Sequence, residues 1–441
     1  MNFAEMGFIF RFLPVLLVVT YLTPKRFREK ILLVGSLVFY AFGELRLMPV
    51  LLAAMVFNFL LGYRRRRGLI ITAIVGDLLL LVSFKLLSAT LGGEYLPLGI
   101  SFYIFRMISW QADLLNGEID RKEKFSDVCL YFCLFPQILS GPIMRYGDGE
   151  FGRSREYRAE AIEAGVQYFI IGLGMKVILA DRLAILWNDL QTVGFVSIST
   201  PLAWMGAIGY SMQLYFDFWG YSLMAAGIGM MVGFKFITNF NHPYAARSIG
   251  DFYRRWHMTL GGWFRDYVYI PMGGSRWGAG RTAVNLLVVW GLTGLWHGSG
   301  INFIIWGLVL GGLIILEKLV YGRLLQKVPV VGHLYVLFLI PLSWVVFAVT
   351  DLGQLGVYFS RLFPFVTSAG GQANPGVLSA YLRSYGWLFV VGGLLCLPGL
   401  FKLFERYKKR RVVTLLLIPV FWVSIFLLAG ASGNPFMYLN F

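Results

Sequence analysis

Charge is what this sequence has least of. Of its 441 residues only 14% are charged, while 58% are hydrophobic, and a soluble domain usually carries about 25% charged side chains. That balance excludes a water-soluble globular fold and leaves an all-α polytopic membrane protein, with multiple passes through the cell (cytoplasmic) membrane. Cysteine is scarce as well. Cys129, Cys133 and Cys396 all sit in apolar segments, and although Cys129 and Cys133 are one helical turn apart, no second pair completes a metal site. They read as small apolar core residues, with no metal and no redox chemistry implied. No internal repeat, low-complexity linker or separately folding soluble segment is visible, so residues 1–441 read as a single integral membrane domain.

Several catalytic signatures are also missing. The runs "GYSMQ" and "GYSLM" both lack the closing glycine of a G-x-S-x-G nucleophile elbow, which argues against a covalent serine route. The spacing of histidine, four residues, aspartate fails at both plausible histidines, because position 262 is Gly and position 302 is Asn. No P-loop or paired metal-ligand motif occurs.

What the chain does have is apolar runs. The first, "FIFRFLPVLLVVTYL", is interrupted by Arg11 and Pro14 and followed by basic "PKRFREK", so it reads as a retained helix and not a cleaved signal. Further spans are predicted near 31–62, 69–91, 95–115, 165–187, 199–217, 219–236, 283–297, 301–320, 334–350, 386–404 and 412–430. The 31–62 block exceeds the roughly 20 residues one crossing needs and predicts two helices broken around Gly43 to Arg46. The net charge of +16 is concentrated in "KRFREK" at 25–30, "RRRR" at 64–67, "DRKEK" at 120–124 and "RYKKRR" at 406–411. Clusters at helix ends follow the positive-inside pattern and do not form a nucleic-acid surface. That orientation puts the N-terminus and the final "SGNPFMYLNF" outside, while "TSAGGQANPG" at 367–376 reads as a loop.

Residues 237–281 refuse to be a clean span. They mix aromatic and charged side chains in a way that fits helices lying in the interface or re-entering the protein. Ser248 or Asp251 is the candidate N-cap of a helix through "FYRRWHMTL", with Gly261–Gly262 as its stop, which would set Tyr253 and Arg254 on the face of His257. Arg265 and Asp266 are a neighbouring pair in the following "WFRDYVYIP". Upstream, Asp217 lies in a long apolar run, where a lone carboxylate is costly, so it should pair, with an arginine of 247–265 as the candidate.

The chain has four histidines. His333 reads as interfacial and His242 as part of a turn before Pro243. His257 and His297 are embedded among tryptophans with glycines nearby, which leaves room for a ligand beside each ring. A desolvated imidazole stays neutral near pH 7 and can accept a proton from an alcohol attacking an acyl carbonyl. A satisfied core histidine is the competing reading for both.

The run "LPLGISFYIFRMISW", the segment "FPQILSGPIMRY", the block from "YFDFWGYS" to "YIPMGGSR", and "NLLVVWGLTGLWHGSGINFIIWGL" closely resemble the membrane-bound O-acyltransferases. "YIPMGGSR" and the terminal "NPFMYLNF" are most similar to the bacterial branch that includes alginate O-acetyltransferases. The resemblance is strongest over 96–308. It implies a ring of about a dozen tilted transmembrane helices, with re-entrant helices around a central tunnel. It also implies that His297, of the W-H-G motif, is catalytic, with His257 in the same reaction path. Arg254, Arg255, Trp256, Asn241, Asp217 and Trp296 are the candidate substrate or donor-path residues. The implied donor is an acyl thioester, acetyl-CoA or an acyl-carrier protein, acting as substrate with no bound cofactor. The acceptor would be a cell-surface polysaccharide, reached through a separate extracytoplasmic partner protein. D-alanyl or peptidoglycan O-acyl transfer stays open as an alternative, as does, in another class, secondary transport of a glycan precursor or lipid.

Overall fold

The computed structural model describes residues 1–119, 122–152, 155, 157–365 and 375–430. Most of the 367–376 loop, the whole C-terminal run from 431 and the start of the 120–124 basic cluster lie outside the described residues. Every regular element among those described is helical, as apolar surroundings dictate: with no water to bond to, backbone N–H and C=O groups must satisfy one another within the segment. By length and composition five described helices can cross a bilayer: Arg67–Leu91, Ile301–Lys327, Pro329–Ala348, Gly376–Cys396 and Arg411–Ala429. Side chains as apolar as Val320, Val390 and Phe426 stand exposed on them, a surface suited to lipid. The chain is a multi-pass membrane protein.

The expected break near 43–46 is present. Arg28–Gly43 ends there and Met48–Tyr63 begins with a proline in its first turn, where a missing N–H costs no helical bond. The spans predicted at 199–217 and 219–236 are instead one unbroken helix of 32 residues, Thr200–Met231. Gly220 does not break it, because a glycine in a helix interior costs only about 1 kcal/mol, and glycines on a neighbouring helix pack against its backbone. A Cβ on Gly172 would lie 2.3 Å from the Gly220 carbonyl oxygen, and one on Gly165 would lie 2.5 Å from that of Gly227.

The chain forms two compact units interleaved in sequence. One comprises Met1–Leu173, Gly220–Thr238 and Thr414–Asn440; the other comprises Gly174–Trp219 and Asn239–Val413. In the first, three helices are tied by buried amides: Asn58 Nδ2 donates to Asp77 Oδ1 at 2.7 Å, and Gln111 Nε2 donates to the Asn58 carbonyl at 2.9 Å. The second holds all four histidines.

In that second unit, Gly278–His297 and Ile301–Leu316 form a tight helical hairpin. Glycine makes it possible. A Cβ on Gly294 would meet the Phe303 carbonyl oxygen at 2.4 Å, and one on Gly307 would meet that of Trp290 at 2.4 Å. Asn302 Nδ2 then donates to the Val346 and Phe347 carbonyls at 3.2 and 3.1 Å. These bonds satisfy the open end of the Pro329–Ala348 helix and fix it beside the hairpin tip, where His297 is the last helical residue.

Candidate active site

The segment leading to His257 is built from paired backbone. Asn241 N–H donates to the Arg255 carbonyl at 2.9 Å and Met258 N–H to the Asn239 carbonyl at 2.8 Å, so residues 239–241 run alongside 255–258. Ser248 is the N-cap of Ile249–Arg255, its hydroxyl accepting from Asp251 N–H at 3.0 Å. The Glu317 carboxylate accepts from the Ile249 and Gly250 N–H groups, neutralising more of the positive helix terminus.

The single helix expected through "FYRRWHMTL" is corrected here. It stops at Arg255, and a second helix, Met258–Phe264, starts after His257 and runs through Gly261 and Gly262 without stopping. His257 itself is left-handed, with φ 43° and ψ 54°, a conformation that costs a non-glycine residue about 1–3 kcal/mol. The break is stabilised by Asn239, whose backbone and side-chain oxygens accept from the Met258 and Thr259 N–H groups of the new helix. His257 therefore does not share a helical face with Tyr253 and Arg254.

The His257 ring is buried. Its Nδ1 lies 3.1 Å from Asn239 Oδ1, and the Phe218 ring stands edge-on at 4.6 Å and 88°. Burial pushes its pKa well below the ordinary histidine range, in a turn outside every helix long enough to cross a bilayer. His297 is also buried, boxed by Trp296 at 4.6 Å and by Trp306 and Phe347, each at 5.2 Å. An aromatic wall links the two histidines. Trp306 stacks on Trp344 at 5.7 Å, Trp344 meets Trp256 at 5.1 Å, and Trp256 adjoins His257 in the chain.

The other candidates are distributed differently. Trp256 and Trp296 are buried in this wall. Arg254 and Arg255 are outside it, both held by Asp251 at 3.6 and 3.1 Å, the first largely exposed. Asn241 is exposed, and the asparagine that touches His257 is Asn239. Asp217 is buried, and its ion pair among the described residues is with a lysine and not with the expected arginine of 247–265. It meets Lys176 at 2.7 Å, which also holds Asp181 at 2.6 Å. Lys176 projects from a π-helical turn, Met175–Ala180, that interrupts the helical path. The arginines of 247–265 are the expected partners because several of them cluster in one polar segment. Lys176 is a single lysine in an apolar stretch well upstream of the long helix, and nothing in its immediate sequence marks it as the counter-ion.

Residues 116–359, which include both buried histidines, match the membrane-bound O-acyltransferase family. The chain belongs to that family. It is 34% identical to a probable alginate O-acetylase of Pseudomonas fluorescens, over 83% of this chain and 76% of that one. It is 32% identical to a peptidoglycan O-acetyltransferase of Helicobacter pylori, over 98% and 96% of the two chains. Similarity to a teichoic acid D-alanyltransferase of Bacillus subtilis is 33% but covers 48% of this chain and 56% of the relative. The protein is an O-acyltransferase.

Proposed function

We propose that this protein moves an acetyl group from a cytoplasmic thioester, acetyl-CoA or an acyl-carrier protein, across the cell membrane toward hydroxyls of an extracytoplasmic polysaccharide. The observation that carries the reading is the pair of buried imidazoles at the two ends of one tryptophan wall. Both rings are buried, and a neutral, desolvated imidazole is a competent general base. In the step we assign to His297, the ring accepts the proton of the acceptor hydroxyl while that oxygen attacks the thioester carbonyl. The new C–O bond forms, the C–S bond breaks, and the imidazolium returns its proton to the departing thiolate. His257, Trp256 and Trp296 would line the path. Arg254 and Arg255 would meet the donor's phosphates at the cytoplasmic mouth.

Acetyl is favoured over D-alanyl because the O-acetylating relatives align along most of the chain. The fold we infer is a ring of about a dozen tilted helices around a tunnel, with a separate extracytoplasmic partner completing delivery to the glycan. The test is thiol release by the purified protein in lipid nanodiscs, followed with a thiol-reactive dye. Acetyl-CoA, an acetylated carrier and a D-alanyl carrier would be offered in turn, with an oligosaccharide acceptor. Acetyl thioester consumption coupled to acetylated glycan is expected. Preference for D-alanyl would overturn the acetyl assignment, and absence of thiol release with every donor would overturn the assignment of a thioester donor.

A further inference from the structure

We propose that Asn239 is a positioning residue that holds His257 in its Nδ1–H form, so that Nε2 is presented as the acceptor for a substrate hydroxyl or thiol. The inference rests on the acyl-transfer reading for the identity of that substrate, but the tautomer itself follows from donor and acceptor logic alone. Backbone N–H of Thr259 can only donate, and it meets the Asn239 side chain at 3.2 Å. The facing atom must therefore be the amide oxygen, because the flipped amide would set one donor against another. The Thr259 hydroxyl reaches the same oxygen at 2.9 Å. His257 Nδ1, at 3.1 Å from it, can bond to an oxygen only by carrying the proton.

The ring has one N–H to give. Burial alone shifts it toward the neutral state, and among the described residues no charged side chain contributes. Phe218 faces the ring, Asn239 and Thr259 are polar but uncharged, and the nearby Arg255 is held by Asp251. With Nδ1 protonated, Nε2 has a lone pair, and that atom is buried with no hydrogen-bond partner among the described residues. Buried acceptors are normally satisfied. A vacant lone pair on a backbone held left-handed is an arrangement that packing alone does not reward, and it suits a ligand that arrives with a donor.

Asn239 also caps the Met258–Phe264 helix, so the test has to separate the cap from the tautomer. Protein labelled with ¹⁵N in its imidazoles has four histidines to resolve, and His257→Gln identifies the relevant signals. The parent should show a protonated Nδ1 and a bare Nε2 at His257. Asn239→Leu should release that preference and lower transfer by about 10- to 100-fold, the range for losing a group that orients a functional ligand. Asn239→Asp keeps the cap and the acceptor but adds a charge beside the ring. An anion raises the imidazole pKa, so the ring protonates at a higher pH, and the acid limb of kcat/KM should move upward. Thr259→Val should leave both tautomer and rate close to the parent.

A parental His257 with its proton on Nε2, a tautomer unaffected in Asn239→Leu, or an unmoved acid limb in Asn239→Asp would each overturn the proposal. Failure of the parent to turn over any thioester would instead count against the acyl-transfer reading, leaving the tautomer result standing.

Discussion

Asp217 offers the sharpest separation of a packing role from a chemical one. Its carboxylate is buried and meets Lys176 Nζ at 2.7 Å, while the same ammonium holds the more exposed Asp181 at 2.6 Å. The two partners are therefore not equivalent. Lys176→Met leaves Asp217 buried without its cation, and breaking a buried pair this way typically costs about 3–5 kcal/mol. Asp217→Asn leaves Lys176 still facing Asp181, so the cost should be closer to that of one compromised buried hydrogen bond, about 1–3 kcal/mol. Replacing both, Lys176→Met with Asp217→Leu, removes the orphaned charge and should recover most of the loss. The assay is the fraction remaining monodisperse in gel filtration after heating in detergent. Midpoints should run parent, Asp217→Asn, Lys176→Met from high to low, with the double variant above Lys176→Met. Thioester turnover of folded Asp217→Asn should stay within a few-fold of the parent. An inverted order would refute the ion-pair reasoning. A folded Asp217→Asn protein with turnover reduced by more than about 100-fold, the scale of a lost acid–base group, would return the residue to the reaction path.

His297→Gln keeps a side chain of similar reach but cannot take up a proton near neutrality, so transfer should fall by about 10² to 10⁴ while melting stays near parental; retention of more than a tenth of the rate would make the ring a packing element. Arg254→Gln with Arg255→Gln should raise the donor's KM far more than it lowers kcat, because a phosphate contact is the same in ground and transition states; a pure kcat defect would exclude that role. Gly307→Ala should cost about 1–3 kcal/mol by forcing the hairpin apart at the Trp290 carbonyl, whereas Gly312→Ala, on the same helix with nothing within 4 Å of its Cβ, should be neutral or stabilising. Equal melting of these two variants would mean that backbone approach does not hold the His297 hairpin.

Much of this fold is legible because hydropathy and helix length are coupled through bilayer thickness. The break at Gly43 to Arg46 and the hairpin on either side of "HGSG" follow from that coupling. It gives no account of Thr200–Met231, where an unbroken 32-residue helix reads like two spans. What decides there is the approach of Gly165 and Gly172 to the Gly227 and Gly220 carbonyls, a pairing between segments that hydropathy and length do not register. The partner of Asp217 is hidden from the sequence for a related reason. Sequence shows that a buried charge needs a counter-ion, but the choice among cations is made by tertiary geometry, here by a π-helical turn that re-aims Lys176.

The site shows the same division. The W-H-G and R-R-W-H motifs point to two histidines because an imidazole among tryptophans is conspicuous in an apolar chain. The residue that determines what one of those rings can do, Asn239, is a commonplace amide 18 residues away from His257, and Asn241 has the same residue type two positions later with no contact to the ring. Residue type cannot separate them. The left-handed turn at His257 can, since a helix interrupted there needs acceptors for two new N–H groups, and only a chain crossing beside it with a carbonyl and a side-chain oxygen in register supplies both. The strained turn and its cap are therefore one structural device: the same oxygen that restarts the helix at Thr259 accepts the hydrogen bond we assign to His257 Nδ1–H, which makes the ring's chemistry depend on the folding of the segment that carries it.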